Sequence, residues 1–154
     1  MRLCIVPCGS RKIWELQPHL KGAKARDAYI GPFAKTCIQY AEKFHPGSYI
    51  ILSAKHGFMF PDEVIPAPYN VTFKDPETNP ITVEKLREQA EEKGLMKYSE
   101  IVVIAGREYV DIVRKVFPGK KIITPLRGAR GMGEMISAMK KAIAGGIELA
   151  LSYE

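Results

Sequence analysis

Four short apolar runs in this chain each stop abruptly in groups that could do chemistry. Leu3-Cys4-Ile5-Val6 leads into Pro7-Cys8-Gly9-Ser10-Arg11-Lys12, and Tyr49-Ile50-Ile51-Leu52 leads into Ser53-Ala54-Lys55-His56-Gly57. Residues 100–105 lead into Gly106, with Tyr109 close behind, and residues 121–126 lead into Arg127-Gly128. A cysteine among positive charges is a candidate nucleophile, because those charges favour the thiolate. A histidine at a strand end is a candidate general acid or base. Cys8 and His56 are therefore the residues to which covalent or proton-transfer steps are assigned. Ser10, Lys12, Ser53, Lys55 and Arg127 supply donors and charge for a phosphate, an oxyanion or a carbonyl. Gly9, Gly57, Gly106 and Gly128 leave room for backbone to approach a ligand. Each residue also has a plainer reading, as a packed thiol, a loop imidazole, or a tight turn followed by solvated charges.

Other chemistries leave no trace. His19, His45 and His56 are isolated, with no Cys-x-x-Cys or His-x-x-x-His spacing, so no metal site is expected. No nucleophile elbow occurs, and a single glycine after the first run falls short of a Walker or dinucleotide loop. No particular cofactor is indicated. The three cysteines, Cys4, Cys8 and Cys37, are an odd number at no disulfide spacing, which suits a reducing compartment. Were Cys4 and Cys8 on one strand, four residues at about 3.3 Å each would set them roughly 13 Å apart, beyond disulfide reach.

The elements that must position these groups follow from the pattern between them. Four runs, each buried along its length, alternate with segments of helical spacing: Phe33, Cys37, Tyr40, Ala41 and Phe44; then a charged helix from an N-cap at Thr82 to about Tyr98; then Tyr109 to Phe117; then Met135, Ile136, Met139 and Ile143. Strand alternating with helix is the signature of a parallel sheet. The expected fold is α/β, a three-layer, Rossmann-like, mostly parallel sheet of four or five strands with helices on both faces. At 154 residues and 46% hydrophobic composition, residues 1–154 are read as a single α/β domain. The carboxyl ends of parallel strands meet at one edge, where ligands of open α/β sheets bind. The polar stretch Gln17 to Ala28, with Lys21, Lys24 and Arg26, is read as a solvated or a phosphate-facing surface. Phe58 to Tyr69, punctuated by prolines, is read as neither regular strand nor helix but as a lid, a pocket wall or a packed connection. The tail 147–154 reads as either a short helix or an edge strand.

No apolar stretch is long enough to cross a bilayer and no signal-peptide pattern opens the chain, so the expected location is cytoplasmic. The net charge of +6 makes acidic partners such as nucleotides or nucleic acid plausible, but no run of five like charges marks a nucleic-acid tail.

Taken together, Pro7 to Lys12, Ala25-Arg26-Asp27-Ala28-Tyr29-Ile30-Gly31, Ile51 to Gly57, Pro61-Asp62, Pro68-Tyr69 and Pro125-Leu126-Arg127-Gly128 resemble a bacterial, archaeal and phage family known only as a domain of unknown function, itself similar to the peroxide-stress YaaA proteins. A second likeness is to the core domain of archaeosine synthase, which modifies a 7-deazaguanine base in transfer RNA and carries Pro-Cys-x-x-x-Lys-Pro-Tyr. Pro7, Cys8 and Lys12 match that motif, whereas Ile13 and Trp14 replace its Pro and Tyr, and Gln17 and Leu20 replace the serine and histidine that follow. The resemblance implies a shared base-binding ancestry, without the lysine-transfer chemistry.

The expectation from residues and resemblance together is a nucleobase, nucleoside or nucleotide site at the strand-end edge, belonging to an enzyme of base modification or glycosyl transfer. Lys12, Lys55 and Arg127 would hold anionic groups and Tyr29 or Tyr69 would stack on the base. The alternative is a non-enzymatic DNA- or RNA-binding or oxidative-stress protein related to YaaA, working through Lys21, Lys24, Lys140 and Lys141.

Overall fold

The computed structural model of the chain describes residues 1–151. In chain order it contains β1 (Arg2–Pro7), β2 (Ala23–Lys24), α1 (Ala25–Ala28), α2 (Pro32–Phe44), β3 (Tyr49–Ser53), β4 (Gly57–Met59) and β5 (Val64–Ile65). The second half adds α3 (Val83–Glu92), β6 (Glu100–Val103), α4 (Arg107–Val116), β7 (Lys121–Ile123) and α5 (Met132–Gly145). The main sheet has the order β4-β3-β1-β6-β7. β1 pairs in parallel with both β3 and β6, β6 pairs in parallel with β7, and β4 joins antiparallel to β3. A separate two-stranded ribbon pairs Ala23–Lys24 with Val64–Ile65.

The unbroken apolar runs are explained by burial on two sides. Side chains alternate across a strand, and here Cys4, Val6, Ile51, Val102 and Ile123 join a core cluster with α2 and α5. Leu3, Ile5, Ile50, Leu52, Ile101, Val103 and Ile122 join a second cluster with α3 and α4. Both sides of the sheet are covered, so both sides read as predominantly apolar in the sequence.

Four expectations are revised. Phe58 does not begin an irregular excursion: Gly57–Met59 forms β4, because the turn after Ser53 folds the chain straight back along β3. The Gln17 to Ala28 stretch contains the short strand β2 and the helical turn α1, so it is more than a charged surface. The charged helix starts at its Thr82 cap, whose side chain accepts from the Lys85 N–H, but it stops at Glu92, since Gly94 at φ 72° turns the chain into a separate 3-10 turn at Leu95–Lys97. Residues 147–151 are neither helix nor strand, and the remainder of the predicted tail lies outside the described residues. Among the described residues, no helix is long and apolar enough to cross a membrane.

Gln89 on α3 fixes the β3–β4 turn from below: its carboxamide oxygen accepts from the Phe58 N–H at 2.8 Å and its nitrogen donates to the His56 carbonyl at 2.9 Å. Gly57, at φ 76°, sits so close that a Cβ would overlap this carboxamide. Gly57→Ala thus adds a steric clash to a left-handed backbone, and a loss of about 2 kcal/mol is expected in urea unfolding. The double variant Gly57→Ala with Gln89→Ala removes the clash but not the backbone strain, and should be less destabilised than the sum of its two single changes.

Candidate functional site

From β1 the chain turns toward α2 in the first core cluster, while from the adjacent β6 it turns toward α4 in the second. Neighbouring strands that send their chains to opposite sides open a crevice between their carboxyl ends. A cavity of about 510 Å³ lies there. Its floor and sides are residues 7–12, the first turn of α2, the segment 70–74, the first turn of α4 and the Met132, Met135 and Ile136 face of α5. Gly9 permits the close fit of the first loop against α2, since a Cβ on it would stand 3.3 Å from that of Ala34.

Cys8 is half-buried in this cavity, with its Sγ 3.2 Å from the Tyr109 hydroxyl. The same hydroxyl donates to the Cys8 carbonyl at 3.5 Å. Burial first, and the neighbouring Cys8 second, push the pKa of Tyr109 upward, and Tyr29 and Tyr69 shift the same way for the same two reasons. All three phenols therefore stay protonated and can donate. Neither α2 nor α4 has a side-chain cap, and the first turns of both helices line the cavity, a favourable setting for negative charge. Phe33, Val71, Phe73 and Ile136 supply apolar walls.

Behind the cavity stands a buried polar cluster centred on Tyr69. Its hydroxyl lies 2.6 Å from that of Tyr29 and 2.8 Å from Ser53 Oγ. The Lys12 ammonium sits 4.2 Å from the centre of the Tyr69 ring and donates to the carbonyls of Gly9 and Ser10 at 3.0 and 3.3 Å. Lys12 is only 5% exposed; burial lowers its pKa, and the neighbouring Cys8 and Glu15 oppose that shift. Ser53 also accepts from the N–H groups of Lys55 and His56 at 3.3 and 3.0 Å, so the serine ties the turn together.

A second cavity, of about 490 Å³, adjoins the first and shares Gly106 and Met135 with it. Arg107, Arg114, Arg127 and Asp111 line it together with Thr124 and several apolar residues.

The residues predicted from sequence thus fall into distinct places. Cys8, Gly9, Ser10, Lys12 and Gly106 line the first cavity, and Gly106 and Arg127 the second. Tyr29, Tyr69 and Ser53 are buried in the cluster behind it, where the Tyr69 ring already meets Lys12 on a face and the His56 ring edge-on at 5.4 Å. Lys55 is exposed beside that cluster and Gly57 is packed in the turn. Arg26 faces Glu42 at 3.2 Å and Asp62 at 3.0 Å, holding α1 to α2 and to the loop after β4. Gly128 is exposed in the turn after Arg127. Residues 70–74 and the apolar face of α5 are contributions that sequence reasoning missed. The signal in residues 70–74 was Val71 and Phe73, two apolar side chains between polar ones.

The family described as "Family of unknown function (DUF6884)" matches residues 3–141. The chain is also similar to a protein of Bacillus subtilis (strain 168) called "Uncharacterized protein YfjM", with 39% identity over 143 residues covering 92% of this chain and 95% of that protein. No solved structure matches.

Two outcomes follow from these environments. Cys4 and Cys37 are fully buried, and burial raises both thiol pKa values, whereas Cys8 opens to the cavity. Iodoacetamide should label the native protein once, at Cys8, and all three cysteines in denaturant, as read by intact mass and peptide mapping. For His56, burial and then the Lys55 charge lower the pKa, so the unfolded chain binds this proton more readily than the folded one. Its contribution to stability is complete above the unfolded value of about 6.5 and is lost as pH falls through the folded value. His45, lowered chiefly by burial, acts in the same direction. Urea midpoints should therefore decline from pH 7 to pH 5, and His56→Gln should flatten part of that decline.

Proposed function

We propose that this chain, which belongs to the DUF6884 family of unknown function, binds a nucleobase-bearing small molecule in the cavity between the carboxyl ends of β1 and β6. The observation that carries this reading is a cavity of small-molecule size whose lining combines aromatic and aliphatic side chains with hydrogen-bonding groups. Phe33 and Phe73 offer aromatic surface, Ile136 and Val71 offer aliphatic surface, and Asn70, Thr72 and Glu108 offer hydrogen-bonding groups to ring edges or sugar hydroxyls. A volume of about 510 Å³ lies within the usual range for small-molecule sites. The stacking role assigned to Tyr29 or Tyr69 passes, in this reading, to Phe33 and Phe73.

Pro7, Cys8 and Lys12, on which the likeness to the archaeosine synthase core domain rests, all line this cavity. We read the domain as a three-layer, Rossmann-like one, and its setting as the cytoplasm, in keeping with three free thiols. For an enzyme of base modification or glycosyl transfer, Cys8 is the nucleophile and the Tyr109 hydroxyl the donor that steadies its thiolate. His56 does not line the cavity, so it supports the site from behind rather than transferring protons within it.

Calorimetric titration with purine and pyrimidine bases, nucleosides and nucleotides tests the reading. Binding at micromolar to millimolar concentration is expected, weakened about tenfold or more by Phe73→Ala through loss of ring contact. Absence of heat with every compound at millimolar concentration would sink it.

A further inference from the structure

Between β5 and α3 the chain forms neither strand nor α-helix, and residues 70–74 of this connection line the first cavity. Residues 72–79 are folded on themselves. Thr78 Oγ1 accepts from the Thr72 N–H at 3.0 Å, the Asp75 N–H donates to the Thr72 carbonyl at 3.3 Å, and the Asp75 carboxylate accepts from the Glu77 N–H at 3.0 Å. A surface loop bonded within itself in this way can move as one piece. Its two ends are held to the sheet. The Tyr69 hydroxyl is fixed in the buried cluster, and the Ile81 N–H donates to the Ala54 carbonyl at 2.8 Å. Asn79, at φ 57° the one non-glycine residue of positive φ among the described residues, turns the chain just before the second anchor.

Between these anchors the segment meets the first turn of α4 at two adjacent residues. The Phe73 and Tyr109 rings stand edge to face with their centres 5.6 Å apart, and the exposed Lys74 ammonium lies 4.0 Å from the Glu108 carboxylate. Contacts of both kinds are individually weak, which suits a catch that can be released. The same tyrosine reaches Cys8 at its other end, with its hydroxyl 3.2 Å from the sulfur. One side chain therefore joins Phe73 to the thiol. We propose that residues 70–79 are a strap that opens and closes over the first cavity, with Phe73 on Tyr109 and Lys74 facing Glu108 as its catch, so that closure covers Cys8 and seats the Tyr109 hydroxyl against its sulfur. Opening breaks these contacts and withdraws the half-buried Val71 and Phe73 from the two core clusters. Both anchors and the strap's own hydrogen bonds stay in place. The strap goes beyond the nucleobase reading and works in the same way whatever the cavity binds.

The test follows the rate at which Cys8 of the intact chain reacts with two uncharged reagents, small iodoacetamide and bulky pyrene maleimide, each normalised to its rate on the denatured chain and read by intact mass. Lys74→Glu, which sets two carboxylates against each other, should speed the maleimide reaction about threefold or more, and the iodoacetamide reaction less. The added negative charge by itself disfavours a thiolate, so a faster reaction reports opening. Lys74→Glu with Glu108→Lys restores the pair with its charges exchanged and should return the maleimide rate to within about twofold of the original. Phe73→Ala should also speed it, by about threefold or more. Circular dichroism melting checks that each variant is folded. A maleimide rate that Lys74→Glu leaves unchanged overturns the strap, and so does an increase that the charge exchange fails to reverse. Acceleration by Phe73→Ala alone would make Phe73 part of a fixed wall and would likewise overturn it. Because only access to the thiol is read, each of these failures leaves the nucleobase reading to its own calorimetric test.

Discussion

The Tyr69 hydroxyl is the interaction on which the candidate site depends. It bonds at once to Tyr29, at the junction of α1 and α2, and to Ser53, at the end of β3, while its ring supports the Lys12 ammonium from the first loop. Three segments far apart in sequence are thereby fixed to one phenol. Tyr69 itself stands immediately before residues 70–74, so the same contacts fix where the outer wall of the cavity begins. A buried hydroxyl that loses a partner costs about 1–3 kcal/mol, which makes the cluster resistant to piecemeal change.

Lys12 shows how such a cluster tolerates charge. Removing an ammonium from water is costly, and its lowered pKa records that cost. Two carbonyl acceptors and an aromatic face offset it. The amine is thus turned inward, toward its own loop, and it shapes residues 9–12 into a wall. Positive potential beside the cavity comes instead from the N-terminal turns of α2 and α4, which line it.

The sheet was legible because burial on both sides leaves a near-continuous apolar run, and four such runs cannot easily be read otherwise. Their parallel pairing brought Cys8, Gly106 and Arg127 to one edge, as the alternation with helices implied. Ser53-Ala54-Lys55-His56-Gly57 was harder to read. Its serine accepts two backbone N–H groups and its glycine takes a left-handed φ, so much of what marks the stretch as unusual is turn geometry. That geometry needs Gln89, more than thirty residues away, and no local pattern announces so distant a partner. Residues 70–74 were illegible for a related reason: they are irregular, and only the anchoring of Tyr69 makes them a wall.

A histidine beside a lysine at a strand end invites a catalytic reading, yet position on the edge is not the same as access to the crevice. β3 lies on the far side of β1 from β6, and it continues into the antiparallel β4 rather than into a helix. The opening therefore falls between β1 and β6, where the chain departs in opposite directions, and Cys8 and Tyr109 meet across it. Ser53 and His56, one strand further out, are covered by Tyr69 and face that opening only through it. Strand order, which no single-chain pattern encodes, thus decides which of the polar strand ends can touch a ligand and which can only hold the others in place.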